Sequence, residues 1–147
     1  MSTEDGDERI DPAAARLWSS WKRCHELVRA AVVSEVTAAT AVAEPDLGVL
    51  IQLESADGVQ RQNTLASALG WDRTRLSHLL TRMENRGYVT RRKITNGVEV
   101  MMTDAGHAAF TAAQPPFAAA IRAHFFDRLE ADERLALQTI LEKLAAV

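Results

Sequence analysis

Between positions 73 and 86 the chain reads Arg-Thr-Arg-Leu-Ser-His-Leu-Leu-Thr-Arg-Met-Glu-Asn-Arg. On a helix, Leu76, Leu79, Leu80 and Met83 fall on one face and define an inward stripe. The opposite face then carries Thr74, Ser77, His78, Thr81, Arg82 and Asn85, with Arg73 at the start and Arg75 at the edge. Short hydroxyl and amide groups interleaved with guanidinium groups are the side chains that hydrogen-bond base edges and phosphate oxygens. Arg91, Arg92 and Lys93 follow close behind, where their charges suit backbone phosphate.

The charge distribution agrees with this chemistry more than the mean charge does. Formal net charge is −3 over 147 residues, which at face value argues against a polyanionic partner. Between Arg61 and Lys93, however, eight basic residues face two acidic ones, so that segment is +6 and the remainder −9. Such asymmetry implies a local polyanion-binding face on an acidic body. A solvated charged face on a plain helical domain is the competing reading.

Other reactive side chains form no constellation. Cys24 is the one cysteine, which excludes an intramolecular disulfide and leaves no cysteine cluster for a metal. His25, His78, His107 and His124 have no i, i+4 ligand pairing, so no metal site is expected. The serines lie in no nucleophile elbow, no glycine loop cradles phosphate, and no acid/base carboxylate pair stands out. An enzyme is not expected, and neither is a cofactor.

Caps and hydrophobic periods outline the helices and strands that hold this basic face in place. Residues 1–10 form an acidic leader without the character of a secretory signal, and no apolar run approaches the roughly 18 residues of a membrane span. Asp11-Pro12 predicts a helix start. From Ala13 to Glu44 neither glycine nor proline intervenes, and Pro45 is expected to end the helix. Leu17, Trp21, Cys24, Val28 and Ala31 make one stripe along it, with Cys24 as a small buried member. A helix of about 30 residues would run roughly 45 Å, longer than a small core needs. Its surplus apolar face is therefore expected to meet another chain.

Asp46 is expected to cap a second helix carrying Leu47, Leu50 and Ile51, closed by an Asp57-Gly58 turn. One extended rung over 59–62 and a short helix over 64–69 follow, ending at Gly70. Asp72 caps the helix described above, and Gly87 supplies its left-handed exit. The period then changes to two: Tyr88–Ile94 and Val98–Met102 read as strands around Thr95-Asn96-Gly97, with Asn-Gly as the turn. Thr103 caps a further helix, expected to break at Pro115-Pro116, and a last helix starts near Ala131 with Leu137, Ile140, Leu141 and Leu144 on one face. Two short helices joined by a glycine-containing turn and followed by a hairpin make a winged helix-turn-helix. The fold class is mainly α with a small β-hairpin wing.

The stretch TLASALGWDRTRLSHLLTRMENRGYVTRR resembles the DNA-binding core of the MarR family of bacterial transcription regulators. Leu65-Ala66 and Leu69-Gly70 match its positioning helix, Arg82 to Val89 the end of its recognition helix, and Thr103-Asp104-Ala105-Gly106 the helix after its wing. GWDRTRLSH and the Trp18/Trp21 pair resemble an actinobacterial-type branch. The resemblance covers about 11–146. It implies one domain over 11–147, with dimerisation helices at 11–44 and 104–147 around a reader at 46–103. It further implies a homodimer, a pseudo-palindromic double-stranded operator, a ligand-responsive repressor, and a bacterial cytoplasmic location on the nucleoid when DNA-bound. The sites implied on DNA are Arg73, Thr74, Arg75, Ser77, His78, Thr81, Arg82, Arg91, Arg92 and Lys93.

Trp18, Trp21 and His25 would wall a pocket for a small aromatic or acidic effector, as in relatives that bind aromatic acids. Cys24 lies near the reactive cysteine of peroxide-sensing members, but the tyrosines that bond such a thiolate are missing here, since the sole tyrosine is Tyr88. A Cys24-based redox regulator is therefore an alternative reading. A protein-interaction antagonist that keeps the fold without binding DNA is another. The family's wing usually carries a longer tip with an arginine that enters the minor groove. Thr95-Asn96-Gly97 offers no cation, so major-groove reading is expected to dominate.

Overall fold

Asp11 accepts a hydrogen bond from the Ala14 amide at 3.0 Å, and Pro12 takes the first helical position. So begins α1 (Pro12–Ala39) in the computed structural model, which describes residues 9–146. The expected acidic leader therefore lies, up to Glu8, outside the described residues. The helix stops five residues short of Glu44. Thr40 turns extended, and its hydroxyl donates to the Val36 carbonyl at 2.9 Å while accepting from the Val42 amide at 3.3 Å. A threonine hydroxyl that satisfies local backbone groups competes with helix continuation.

Pro45 consequently opens the next helix rather than closing the first one. It sits in the first turn of α2 (Glu44–Ser55), whose N-cap is Ala43. Asp46 is not the cap expected of it: it lies inside the first turn and is buried. Asp57 and Gly58 then reverse the chain with positive φ at both residues. β1 (Val59–Arg61) and α3 (Gln62–Leu69) follow, and α3 ends at Gly70 with φ +65°. α4 (Arg73–Asn85) is capped by Asp72, which accepts from the Arg75 amide at 2.8 Å.

β2 (Val89–Ile94) and β3 (Gly97–Met102) form the wing, and β1 adds to β3, giving an antiparallel sheet in the order β1-β3-β2. Ile94 pairs with Gly97, so the turn residues are Thr95 and Asn96, one place earlier than expected. Asn96 alone adopts a left-handed conformation there, with φ +60°. Gly97 is a strand residue.

α5 (Asp104–His124) runs unbroken through Pro115 and Pro116, contrary to the expected interruption. Each proline forfeits a ladder hydrogen bond, but its fixed φ is itself helical. Packing along α1, with Ala113 and Ala120 fully buried on either side of the pair, outweighs the local penalty. A single 3₁₀ turn (Phe126–Arg128) leads to α6 (Ala131–Ala145), which starts with a reciprocal capping box between Glu130 and Glu133.

The core gathers where α2, α3, α4, α5 and the sheet converge. Leu50, Leu53, Leu65, Leu76, Leu80, Met83, Val89 and Val100 are fully or almost fully buried. Each such side chain contributes about 1.5–3 kcal/mol of transfer free energy. Gly106 is required at the start of α5, because a Cβ there would lie 2.1 Å from the Tyr88 carbonyl oxygen. The entry to the wing and α5 meet backbone to backbone.

The two ends of the chain contrast with this core. Leu17 is 73% exposed, and Trp18, Trp21, Cys24 and Leu27 are exposed with it. Cys24 is thus not the buried member of a stripe within this chain. In α6 no residue is buried, and Leu135, Ile140, Leu141 and Leu144 are exposed. No helix among the described residues is long and apolar enough to cross a membrane.

Candidate nucleic-acid interface

The inward stripe of α4 is as the spacing requires: Leu76, Leu79, Leu80 and Met83 are buried. That anchoring fixes the rotation of the helix and turns Arg73, Thr74, Arg75, His78, Thr81 and Arg82 outward, all exposed, with Ser77 half-buried. The Asp72 cap and the Gly70 exit of α3 set the angle between the two short helices. The tight turn between them is closed by the Trp71 amide donating to the Ala66 carbonyl at 3.0 Å.

Trp71 was not among the sequence-derived site residues. The Arg75 guanidinium lies over its ring, 4.4 Å from the centroid. The half-buried indole gives that cation a flat support, worth about 0.5–1 kcal/mol at an exposed site. Its position immediately before an N-cap and four residues ahead of an outward arginine was the available signal.

The basic run of the wing is divided by strand geometry. Successive strand side chains point to opposite faces, so Arg91 and Arg92 diverge. Arg91 turns to α4, where its Nε donates to Glu84 at 2.7 Å. Arg92 is 62% exposed and ion-paired with Glu99, its cross-strand partner. Lys93 is exposed near the wing tip. Glu84 is thus a second residue of the site that sequence reasoning passed over, because its partner comes from another element.

A cleft of about 500 Å³ lies between α1, α2 and α5, with Leu137 and Leu141 of α6 along its edge. Trp21 and His25 line it, and so do Cys24, Leu47, Ile51 and Phe117. Trp18 is not among the lining residues; it packs on Trp21 with ring centroids 5.2 Å apart. Arg29 stands at this cleft between Glu26 and Glu44, hydrogen-bonded to both. The Arg29 hydrogen bond and its charge hold the exposed Glu26 carboxyl below its ordinary value. The two carboxylates in turn raise the Arg29 guanidinium further above its already high one. His107 faces Glu54 at 3.3 Å, and His124 pairs with Glu35. Among the described residues no group of three histidine, cysteine or acidic side chains is arranged to hold a metal.

At the level of sequence the chain matches no family profile and no curated protein. Solved structures do match. AbsC, a MarR family transcriptional regulator from Streptomyces coelicolor, superposes with a TM-score of 0.86 at 24% identity, over 94% of this chain and 95% of that one. Sco3205, another MarR family regulator of S. coelicolor, solved in complex with DNA, gives 0.85 at 24% identity, over 96% and 91%. CouR, a transcriptional repressor bound to p-coumaroyl-CoA, gives 0.78 at 24% identity, over 95% and 99%. With its short α3-α4 pair, its hairpin wing extended by β1 and its long flanking helices, the chain has the winged helix-turn-helix fold of the MarR family of transcriptional regulators.

Proposed function

We propose that this protein is a MarR-type transcription regulator that binds a pseudo-palindromic duplex as a homodimer and acts as a ligand-responsive repressor in the bacterial cytoplasm. The observation that carries the reading is α4: its apolar stripe is wholly buried while its other face presents exposed hydroxyls, His78 and three guanidinium groups beside a basic wing. Arg75, His78 and Arg82, with Thr74, Ser77 and Thr81, read base edges in the major groove, and Arg73, Arg92 and Lys93 take backbone phosphate. A structural neighbour solved with DNA supports the mode of use.

The unfilled apolar faces at both chain ends support the dimer. Exposed Leu17, Leu27, Leu135 and Leu144 exceed what a monomer leaves in water without function. Two copies related by a two-fold axis would bury these faces and set the two readers one or more helical turns of DNA apart. The α1-α2-α5 cleft is the effector site in this reading, taking a small aromatic or acidic molecule. Neighbours solved with p-coumaroyl-CoA and with 2,4-dichlorophenol support that class. Binding there favours a dimer whose reader spacing misfits successive grooves.

The test is selection of bound sites from random duplexes, followed by affinity against salt. Enrichment of an inverted repeat, with log affinity falling steeply against log salt, is expected. A folded dimer that enriches no sequence and shows no salt slope is instead an interaction module with this fold.

A further inference from the structure

Arg91 touches three residues of a single helix. Its Nε donates to Glu84 at 2.7 Å, one Nη donates to the Thr81 hydroxyl at 2.8 Å, and the other reaches the Ser77 hydroxyl at 3.4 Å. Ser77, Thr81 and Glu84 stand at i, i+4 and i+7, so one planar fork spans two turns along the edge of the reading face. The Arg91 side chain is 21% exposed and its charge is balanced by Glu84. A cation so engaged attracts phosphate weakly.

The Thr81 hydroxyl also donates to the Ser77 carbonyl at 3.1 Å. A hydroxyl has one proton and two lone pairs. Here the proton is committed to Ser77 and one lone pair to Arg91, which leaves one lone pair unused on an exposed residue. Thr81 is therefore an acceptor only. In a major groove an acceptor selects the exocyclic amino group of adenine or cytosine over the keto oxygen of thymine or guanine. Without Arg91 only the Ser77 carbonyl holds the hydroxyl, and the lone pair that Arg91 occupied is released, so the hydroxyl turns more readily to serve either kind of base edge.

We propose that Arg91 is a positioning and specificity-determining residue: it fastens the wing to the recognition helix and holds Thr81 as an acceptor for a base amino group, instead of neutralising a phosphate. The inference rests on the DNA-binding reading above. Lysine cannot substitute, because its ammonium is a compact point charge without the planar fork.

The experiment is duplex selection and salt titration with wild type, Arg91→Lys and Glu84→Gln, each checked for native helicity and size. Expected for Arg91→Lys is loss of preference at one base pair per half-site, a fall of about tenfold in cognate over mismatched affinity, with the salt slope unchanged. Glu84→Gln should lose preference at that same pair, and it carries the test alone if Arg91→Lys fails to fold. If Arg91 holds phosphate, Arg91→Lys will match wild type. Glu84→Gln, by releasing the guanidinium, will then bind every duplex more tightly and with a steeper salt slope. Either result overturns the proposal. A wild type that selects no sequence removes the DNA-binding reading itself, and that outcome is visible before any variant is made.

Discussion

Asp46, 1% exposed in the first turn of α2, is ion-paired with Arg86, the C-cap of α4. The pair joins the helix that walls the cleft to the end of the helix that would read DNA. It also directs inward one of the cations counted in the basic segment, so Arg86 belongs to the scaffold. A buried carboxylate stripped of its partner keeps its desolvation cost without compensation.

Arg86→Ala should therefore destabilise the fold by about 3 kcal/mol, the lower end of the range for broken buried pairs, because water already reaches the half-exposed guanidinium. Asp46→Asn together with Arg86→Ala should recover part of that loss, since no charge is left buried. Urea unfolding of both variants checks this, and equal losses would contradict it.

The reading face gives a second expectation. Arg75→Ala, His78→Ala and Arg82→Ala lie off the buried stripe, so stability should stay within about 0.5 kcal/mol of wild type for the last two, and Arg75→Ala should lose up to about 1 kcal/mol with its stacking on Trp71. Each lost base contact should cost about 1–3 kcal/mol of binding and relax preference at its own position. Operator binding at full strength by the triple variant would remove α4 from the interface.

Gly106→Ala places a Cβ against the Tyr88 carbonyl, a fixed backbone group that cannot rotate away. Helix propensity alone would favour alanine by about 1 kcal/mol. The clash should reverse that sign and leave a net loss of about 1–3 kcal/mol. A thermal melt decides between the two.

At the wing tip, Asn96 holds φ +60°. Asn96→Gly should leave stability and duplex affinity nearly unchanged, because the tip offers no cation to the minor groove. Asn96→Val should cost about 1–2 kcal/mol of stability, the price of a left-handed β-branched residue. Strong flanking minor-groove protection in footprints, lost in tip variants, would show that the tip does contact DNA.

Glu26 supplies the pH expectation. Its carboxyl is held below the ordinary 4.5 by the Arg29 hydrogen bond first and by Arg29's charge second. A depressed carboxylate adds stability above its unfolded value and loses it as pH falls through the folded one. Both groups are exposed, so the effect on the whole protein is small. NMR titration should place Glu26 below 4.5 in wild type and return it upward in Arg29→Gln.

Much of this architecture was legible where local and tertiary demands coincide. Asp72, the Leu76-Leu79-Leu80-Met83 stripe, Gly70 and Gly87 each follow from cap, period or positive φ, and all stand as read. The misreadings occur where a distant partner decides. Asp46 has the composition of a cap, but Arg86, forty positions away, draws it into the interior. Pro115-Pro116 looks like a break until α1 is placed alongside. Arg91, Arg92 and Lys93 form one basic run in sequence; alternation separates them, and Glu84 from another element captures the first.

The bareness of α6 has a further consequence. A helix of 15 residues is marginal in water on its own, and this one buries no residue within the chain. In the proposed homodimer its order is supplied by mass action, through the partner surface that covers Leu135, Ile140 and Leu144. Dilution becomes a mild denaturant that acts on the chain ends first, while the core around Leu50, Leu65 and Leu80 persists. The midpoint of a thermal scan should consequently rise with protein concentration, and abundance in the cell would tune how much of each molecule is folded.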